Sequence, residues 1–314
     1  MQVTTGVAAM AVGYAAFRYM SSPKSANHAY FDGKVVWVTG ASSGIGKELC
    51  KQLVEKSKGV RLILSSRKEE TLREVKEELV AAGARAKDVA IVTLDLGDKE
   101  TLEAAMERAF KAFGSVDVLV NNAGISQRSL ARMTSPVVYD RLMEVDYVGQ
   151  VYLTQHFLKM VHTTKDAEGH IVFISSVAGK IPVPFRSGYC AAKAALDAYA
   201  STIRIELELE CRPIAVTVVS PGGVRTAVSK NALNKDGEAF GEADAVTAEG
   251  MAVDECVGQM IRGISNKVDD FLVCSSLERF AYRLFSYLPL RTATKAILPK
   301  YKKYLDATLA KVAS

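Results

Sequence analysis

At 314 residues, 49% hydrophobic and 24% charged, the chain is sized for one large core with appendages, and its apolar content excludes a disordered polypeptide. Its net charge of +5 is uneven: residues 277–314 hold eight basic and two acidic side chains, which leaves the body close to neutral and excludes a folded domain built to grip nucleic acid. Cys50, Cys190, Cys211, Cys256 and Cys274 are odd in number, embedded in apolar or helical runs and lack metal-ligand spacing, so buried reduced thiols rather than disulfides are expected, in a reducing compartment and with no metal site.

Residues 1–27 read as a leader. Positions 1–17 carry no charged side chain, and Arg18 and Lys24 follow; the run is barely long enough to cross a bilayer, and a membrane anchor is expected. A transit peptide and an unstructured or interfacial leader stay open. A cleaved signal peptide is disfavoured because no basic residue precedes the apolar run.

From residue 28 to 276 the pattern is that of one domain. Short β-branched runs at 35–39, 60–65, 89–94, 116–120, 170–175, 214–220 and 271–274 alternate with helical stretches at 46–56, 69–82, 99–113, 136–162, 188–211 and 248–264. Crossovers of that length force parallel pairing, and continuously apolar strands need helices on both faces. The fold expected is α/β, a Rossmann-type doubly wound sheet of about seven parallel strands.

Between the first strand and first helix stands Thr39-Gly-Ala-Ser-Ser-Gly-Ile-Gly46. Glycine at 40 and 44 lets the backbone turn tightly and approach phosphate oxygens, and Gly46 allows the helix to pack closely on the strand. The free N–H groups of the helix start favour an anion there. The spacing differs from the common Gly-x-Gly-x-x-Gly. After the second strand the chain reads Ser65-Ser66-Arg67, where an acidic residue would hold the ribose hydroxyls of NAD; small hydroxyls followed by Arg67 suit a 2′-phosphate instead, so NADP(H) is the expected cofactor.

Further along come Leu94-Asp95-Leu96, Asn121-Asn122-Ala123-Gly124 and Met143-Glu-Val-Asp146, and then Ser176 with Tyr189 and Lys193 thirteen and seventeen residues on. Tyr189 and Lys193 are one helical turn apart and share a face. A carbonyl that gains hydride becomes an alkoxide and needs a proton at once. Tyr189 supplies a phenol for that, Ser176 can bond the same oxygen, and a Lys193 cation about 4 Å from the phenol is worth up to roughly 4 kcal/mol at an effective dielectric near 20, which favours the phenolate. Pro182, Pro184 and Phe185 can wall an apolar substrate pocket. Pro221-Gly222-Gly-Val224-Arg-Thr226 follows the sixth strand, and residues 227–246, irregular and rich in Asn, Gly and acidic residues, read as a substrate lid or as a plain surface loop. His28, His156, His162 and His170 show no ligand spacing. In residues 277–314, apolar positions 277, 280, 281, 284, 285 and 288 recur at helical spacing beside Arg279 and Arg283: a basic amphipathic tail that suits an anionic membrane surface or a helix lying on the body.

The glycine turn, the four later segments and the Ser–Tyr–Lys set, in that order over residues 34–275, resemble the short-chain dehydrogenase/reductase family. The resemblance implies cofactor contacts from Ser42, Ser43 and Ile45 with the glycines. It implies others from Asp95 and Leu96 beside the adenine, from Asn121, Asn122, Ala123 and Gly124, and from Pro221, Gly222, Val224 and Thr226 at the nicotinamide. Lys193 would also bond the nicotinamide ribose, and Tyr189, Ser176 and Phe185 would meet substrate. The chain departs from the family at Asp146, where Asn is usual beside a water chain that recharges the lysine. Asp146 is expected to serve an altered relay, its charge offsetting part of the pull of Lys193 on Tyr189. The function implied is NADP(H)-dependent interconversion of a ketone or aldehyde with an alcohol on a lipophilic, steroid-, retinoid- or lipid-like substrate. The anchored, basic-tailed plan resembles the family's membrane-associated members, which implies the endoplasmic reticulum, and a homodimer through helices 136–162 and 188–211 is a family-level expectation. The other reading is a membrane-tethered nucleotide-binding scaffold with little turnover.

Overall fold

The structure is a computed structural model; it describes residues 25–161, 167–242 and 245–276 and scattered positions from 278 to 302. The leader call falls almost wholly outside these residues, as do most of the tail call and His162. Among the described residues no helix is long and apolar enough to cross a membrane.

Seven strands form one parallel sheet: β1 Val35–Thr39, β2 Arg61–Ser65, β3 Val89–Ile91, β4 Val118–Asn121, β5 Gly169–Ile174, β6 Ile214–Pro221 and β7 Asp270–Val273, in the spatial order β3-β2-β1-β4-β5-β6-β7. Their continuous apolar runs are explained by burial from both sides. Val36 and Val38 face one core, and Val35 and Trp37 the other, each fully buried. On the first face lie α1 Gly44–Lys56, α2 Glu69–Ala81 and the helix Val253–Ser265; on the second lie α3 Lys99–Phe113, α4 Pro136–Met143, α5 Gly149–Val161 and α6 Ser187–Leu209. The order reverses between β1 and β4, the switch point where the carboxyl ends of such strands open a crevice.

Most elements fall within a few residues of expectation, and the differences that bear on the site are these. β3 ends at Ile91 rather than 94, although Val92 and Leu94 still donate backbone N–H bonds to Leu64 and Ser66. The helix expected over 136–162 is interrupted by a π-helical turn, Glu144–Val148, closed by the Gly149 N–H on the Glu144 carbonyl. Gly149 lies against the Leu96 carbonyl where a side chain has no room, so the helix must widen to keep that approach. The segment 227–246 is tied to the body: Leu233 N–H donates to Ser126 at 2.7 Å, Arg128 N–H to Leu233 at 2.8 Å and Ser135 N–H to Lys235 at 2.8 Å.

The chain enters beneath the sheet. Asn27 N–H donates to Ser265 Oγ at 3.0 Å, and the Tyr30 hydroxyl pairs with His170 Nδ1 at 2.9 Å near the start of β5. His170 Nε2 meets Thr217 Oγ1, also at 2.9 Å, and burial pushes the His170 pKa down to about 3. The chain leaves from the other edge. Val273 ends β7 beside Gly222, and Ser275 and Glu278 form a reciprocal capping box, with Glu278 N–H on Ser275 Oγ at 3.2 Å and Ser275 N–H on Glu278 Oε2 at 3.1 Å.

Candidate active site

The carboxyl ends of the strands surround a cleft of about 460 Å³. One wall is the glycine turn. Gly40 has φ 66°, and a Cβ there would stand 2.9 Å from Ala123 Cα, so only glycine lets β1 turn against the end of β4. Thr39 latches the two strands: its Oγ1 accepts the N–H groups of Asn122 and Ala123, both at 3.0 Å, while Asn122 Nδ2 donates to the Thr39 carbonyl at 2.8 Å. The helix starts at Gly44, and its N-cap Ser43 makes no side-chain cap, which leaves the first N–H groups of α1 for an anion. Gly40, Ser42, Ser43, Gly44 and Ile45 line the cleft. Gly46 does not; it backs the turn, where a Cβ would collide with the Gly40 carbonyl.

At the end of β2, Ser65 is fully buried and accepts the Trp37 indole N–H at 2.9 Å, and it lines the cleft together with Ser66 and Arg67. Arg67 is exposed, lines the cleft, and has no hydrogen-bond or ion-pair partner among the described residues. Asp95 and Leu96 line it too. Asp95 accepts from Gly97 N–H at 2.9 Å and from Arg141 at 3.2 Å, a guanidinium that rests in the space the Gly97 side chain leaves open. These observations fit a dinucleotide: a turn with no Cβ to spare, an uncapped helix start and an unpaired cation.

Asn122, Ala123 and Gly124 line the cleft, whereas Asn121 is buried beneath it, donating to Thr154 Oγ1 at 3.2 Å. Ser176 ends the run after β5 and caps a 3₁₀ turn, Val177–Gly179. Its Oγ accepts the Ala178 N–H at 3.2 Å and donates to the Pro221 carbonyl at 3.5 Å, which binds the Ser176 loop to the Pro221–Thr226 loop. Pro221, Gly222, Val224 and Thr226 all line the cleft. Tyr189 and Lys193 project from α6 into the same space; the Lys193 ammonium lies 5.8 Å from the Tyr189 ring centroid and donates to the Ile174 carbonyl at 3.1 Å.

Asp146 sits in the π turn behind this group, fully buried and outside the cleft lining. Its Oδ1 accepts the Ile125 N–H at 2.8 Å, and its Oδ2 has no partner. Burial pushes its pKa up to about 6, against the opposing pull of Lys193 and the Ile125 N–H. Phe185, with φ 66°, turns the chain, and its carbonyl accepts the Ser129 N–H; Pro182 lines the cleft, while Pro184 and Phe185 stand outside that lining. The five cysteines are free, with Cys211 exposed rather than buried, and no group of three metal-ligating side chains occurs among the described residues.

Sequence patterns gave no sign of four lining residues. Arg141 reaches Asp95 from 46 positions away, and Arg128, buried and bonded to Ser126 Oγ at 2.9 Å, Asn231 and Tyr282 come from separate segments. Gly97 was the one available signal, since a glycine after Leu-Asp-Leu leaves space for a large neighbour.

A model of the family described as short chain dehydrogenase matches residues 34–237. Dehydrogenase/reductase SDR family member 7B from Bos taurus is 38% identical over 264 residues, covering 83% of this chain and 79% of that protein. An alcohol dehydrogenase from the archaeon Thermococcus sibiricus, solved with 5-hydroxy-NADP, superposes with a TM-score of 0.63 at 25% identity over 77% of this chain and 97% of its own. A short-chain dehydrogenase/reductase from Burkholderia phymatum in complex with NAD shares the fold, with a TM-score of 0.69 at 22% identity over 82% of this chain and 93% of its own.

Proposed function

The chain belongs to the short-chain dehydrogenase family, an oxidoreductase family of NAD(P)-binding proteins; from that premise we propose that it interconverts a ketone or aldehyde with an alcohol on a lipophilic substrate, using NADP(H). The observation that carries the reading is the convergence of Ser176, Tyr189 and Lys193 on the cleft that also holds the glycine turn. Bound NADP(H) supplies or accepts the hydride. Gly40, Ser42, Ser43, Gly44 and Ile45 would hold its phosphates, Arg67 its 2′-phosphate, Asp95 and Leu96 its adenine, and Asn122, Ala123, Gly124, Pro221, Gly222, Val224 and Thr226 the rest.

Tyr189 gives its proton to the carbonyl oxygen in reduction and recovers one in oxidation. Ser176, its own position fixed by Ala178 and Pro221, holds that oxygen in place. Lys193, beside Tyr189 on α6, returns protons to it. Asp146 acts from behind Lys193 as a charge that, when ionised, competes for the ammonium. Support for NADP(H) is Arg67, with Ser65 and Ser66 rather than an acidic residue at the end of β2, and the 5-hydroxy-NADP bound by the Thermococcus sibiricus enzyme agrees with it. Support for a lipophilic substrate is the apolar part of the lining, Ile181, Pro182, Val183 and Val228.

We also propose that residues 1–27 and the basic tail hold the protein at a membrane, that of the endoplasmic reticulum, and that it pairs as a homodimer through α4–α6. The charge pattern of the two ends supports the first, and Tyr152, Ile205 and Leu209, exposed on α5 and α6, support the second.

Assay of lipophilic ketones, aldehydes and alcohols with NADPH and NADH tests the reading. Turnover with NADPH is expected, and Tyr189→Phe is expected to abolish it while NADPH still binds. Turnover with NADH alone overturns the cofactor assignment, and full turnover by Tyr189→Phe overturns the mechanism.

A further inference from the structure

Ser176 and Lys180 bracket a single 3₁₀ turn. Ser176 is its N-cap, and Lys180 is its C-cap, with the Lys180 N–H on the Val177 carbonyl at 3.1 Å. The turn lies directly on α6: a Cβ at Gly179 would stand 3.0 Å from the Lys193 carbonyl oxygen and 3.0 Å from Asp197 Oδ2. The Lys180 ammonium then spans two further elements, donating to Asp197 Oδ2 at 3.1 Å, one helical turn beyond Lys193 on α6, and to Asp270 Oδ2 at 2.8 Å on β7. The Asp197 side chain is 15% exposed, and burial pushes its pKa up against the pull of Lys180. An ion pair in that setting depends on both partners, since removal of one leaves a desolvated charge.

We propose that Lys180 is a positioning residue that sets the register of the Ser176 loop on α6, and so the spacing of the Ser176 hydroxyl from the Tyr189 phenol. Lys180 thereby ties this turn to both α6 and β7. Lys180 does not line the cleft, and acts only through the turn it closes. The proposal rests on Ser176 and Tyr189 being the proton-transfer pair. A displacement of about 1 Å at such a pair can cost of order 100-fold in rate, so a side chain that fixes the register governs turnover without touching substrate.

The test is steady-state reduction of a panel of lipophilic ketones and aldehydes by the full chain with NADPH, with NADPH affinity and thermal unfolding measured on the same samples. Lys180→Met is expected to lower kcat by about 10- to 100-fold with the NADPH Kd unchanged, and Lys180→Arg, which keeps both ion pairs, to stay within about threefold of wild type. The double variant Lys180→Met/Asp197→Asn separates positioning from plain stability: removal of the stranded carboxylate restores the melting temperature, but kcat stays low because the tie is still missing. A kcat that recovers with the melting temperature, or a Lys180→Met enzyme with wild-type kcat, overturns the proposal. A wild-type protein that turns over no carbonyl removes the functional reading, and this proposal with it.

Discussion

Asp146 and Lys193 face the same point beside Gly124: a Cβ on that glycine would stand 2.9 Å from Asp146 Oδ1 and 3.3 Å from Lys193 Nζ. A buried carboxyl and an ammonium thus meet across a bare backbone, and the carboxyl has one oxygen with no hydrogen-bond partner. Burial raises the Asp146 pKa from 3.8 to about 6. A carboxyl that binds its proton more tightly folded than unfolded favours the fold below the ordinary Asp range, and this contribution is lost as pH rises through about 6. The ionised form therefore costs up to about 3 kcal/mol at pH 7 to 8. Asp146→Asn is expected to raise the melting temperature at pH 8 by several degrees and to change it little at pH 4. The same substitution removes a charge that opposes Lys193, so the pH–rate profile for alcohol oxidation is expected to move to lower pH. A melting difference that is the same at both pH values contradicts the first expectation, and an unmoved profile the second.

Arg67 is an exposed cation with no partner among the described residues, two residues beyond β2 on the cleft lining. Charge-assisted bonds to a phosphate are worth about 1.5–3 kcal/mol. Arg67→Ala is expected to raise the NADPH Kd by roughly 10- to 100-fold and to leave the NADH Kd nearly unchanged, as read by quenching or calorimetric titration. Equal losses for both nucleotides would show that Arg67 does not read the 2′-phosphate.

Gly46 and Gly258 make a matched pair. A Cβ at Gly46 meets the Gly40 carbonyl and Asn122 Nδ2, whereas one at Gly258 meets nothing within 4 Å. Gly46→Ala must push the phosphate turn outward, at a cost of about 1–3 kcal/mol, and weaker nucleotide binding is expected with it. Gly258→Ala, within Val253–Ser265, is expected to be neutral or to gain up to about 1 kcal/mol. Chemical denaturation of both variants checks the contrast, which fails if the two shift alike.

Tyr282 lines the cleft from beyond β7; Arg279, three residues earlier, donates to Gln259 Oε1 and to the Cys274 carbonyl, both at 3.3 Å. β7 is the sheet edge opposite the β2–β3 side that holds Arg67. Tyr282→Ala is expected to raise KM for a lipophilic carbonyl about fivefold or more, in line with a lost buried aromatic contact, and to spare NADPH affinity. Loss of NADPH affinity with KM unchanged would place Tyr282 at the cofactor instead.

The sheet was legible because each strand is a short apolar run that must be covered twice, and the order of motifs carried the glycine turn, the 221–226 loop and the Ser176–Tyr189–Lys193 set. Boundaries were less so. The π turn around Asp146 comes from Gly149 pressing on Leu96, a contact between residues 53 positions apart that leaves no local periodicity. Phe185 is apolar and close to Ser176 in sequence, but its left-handed backbone conformation is a feature that composition does not announce. Arg141 and Lys180 carry no local signal, because the carboxylates that hold them, Asp95, Asp197 and Asp270, are distant in sequence and meet them only in the fold.

The chain enters at the edge where the strands begin and leaves at the edge where they end, beside the cleft. On the proposed membrane attachment, the first and last segments would leave the body from opposite ends of its strands, so two contacts with one bilayer would limit the tilt of the sheet more than either contact alone.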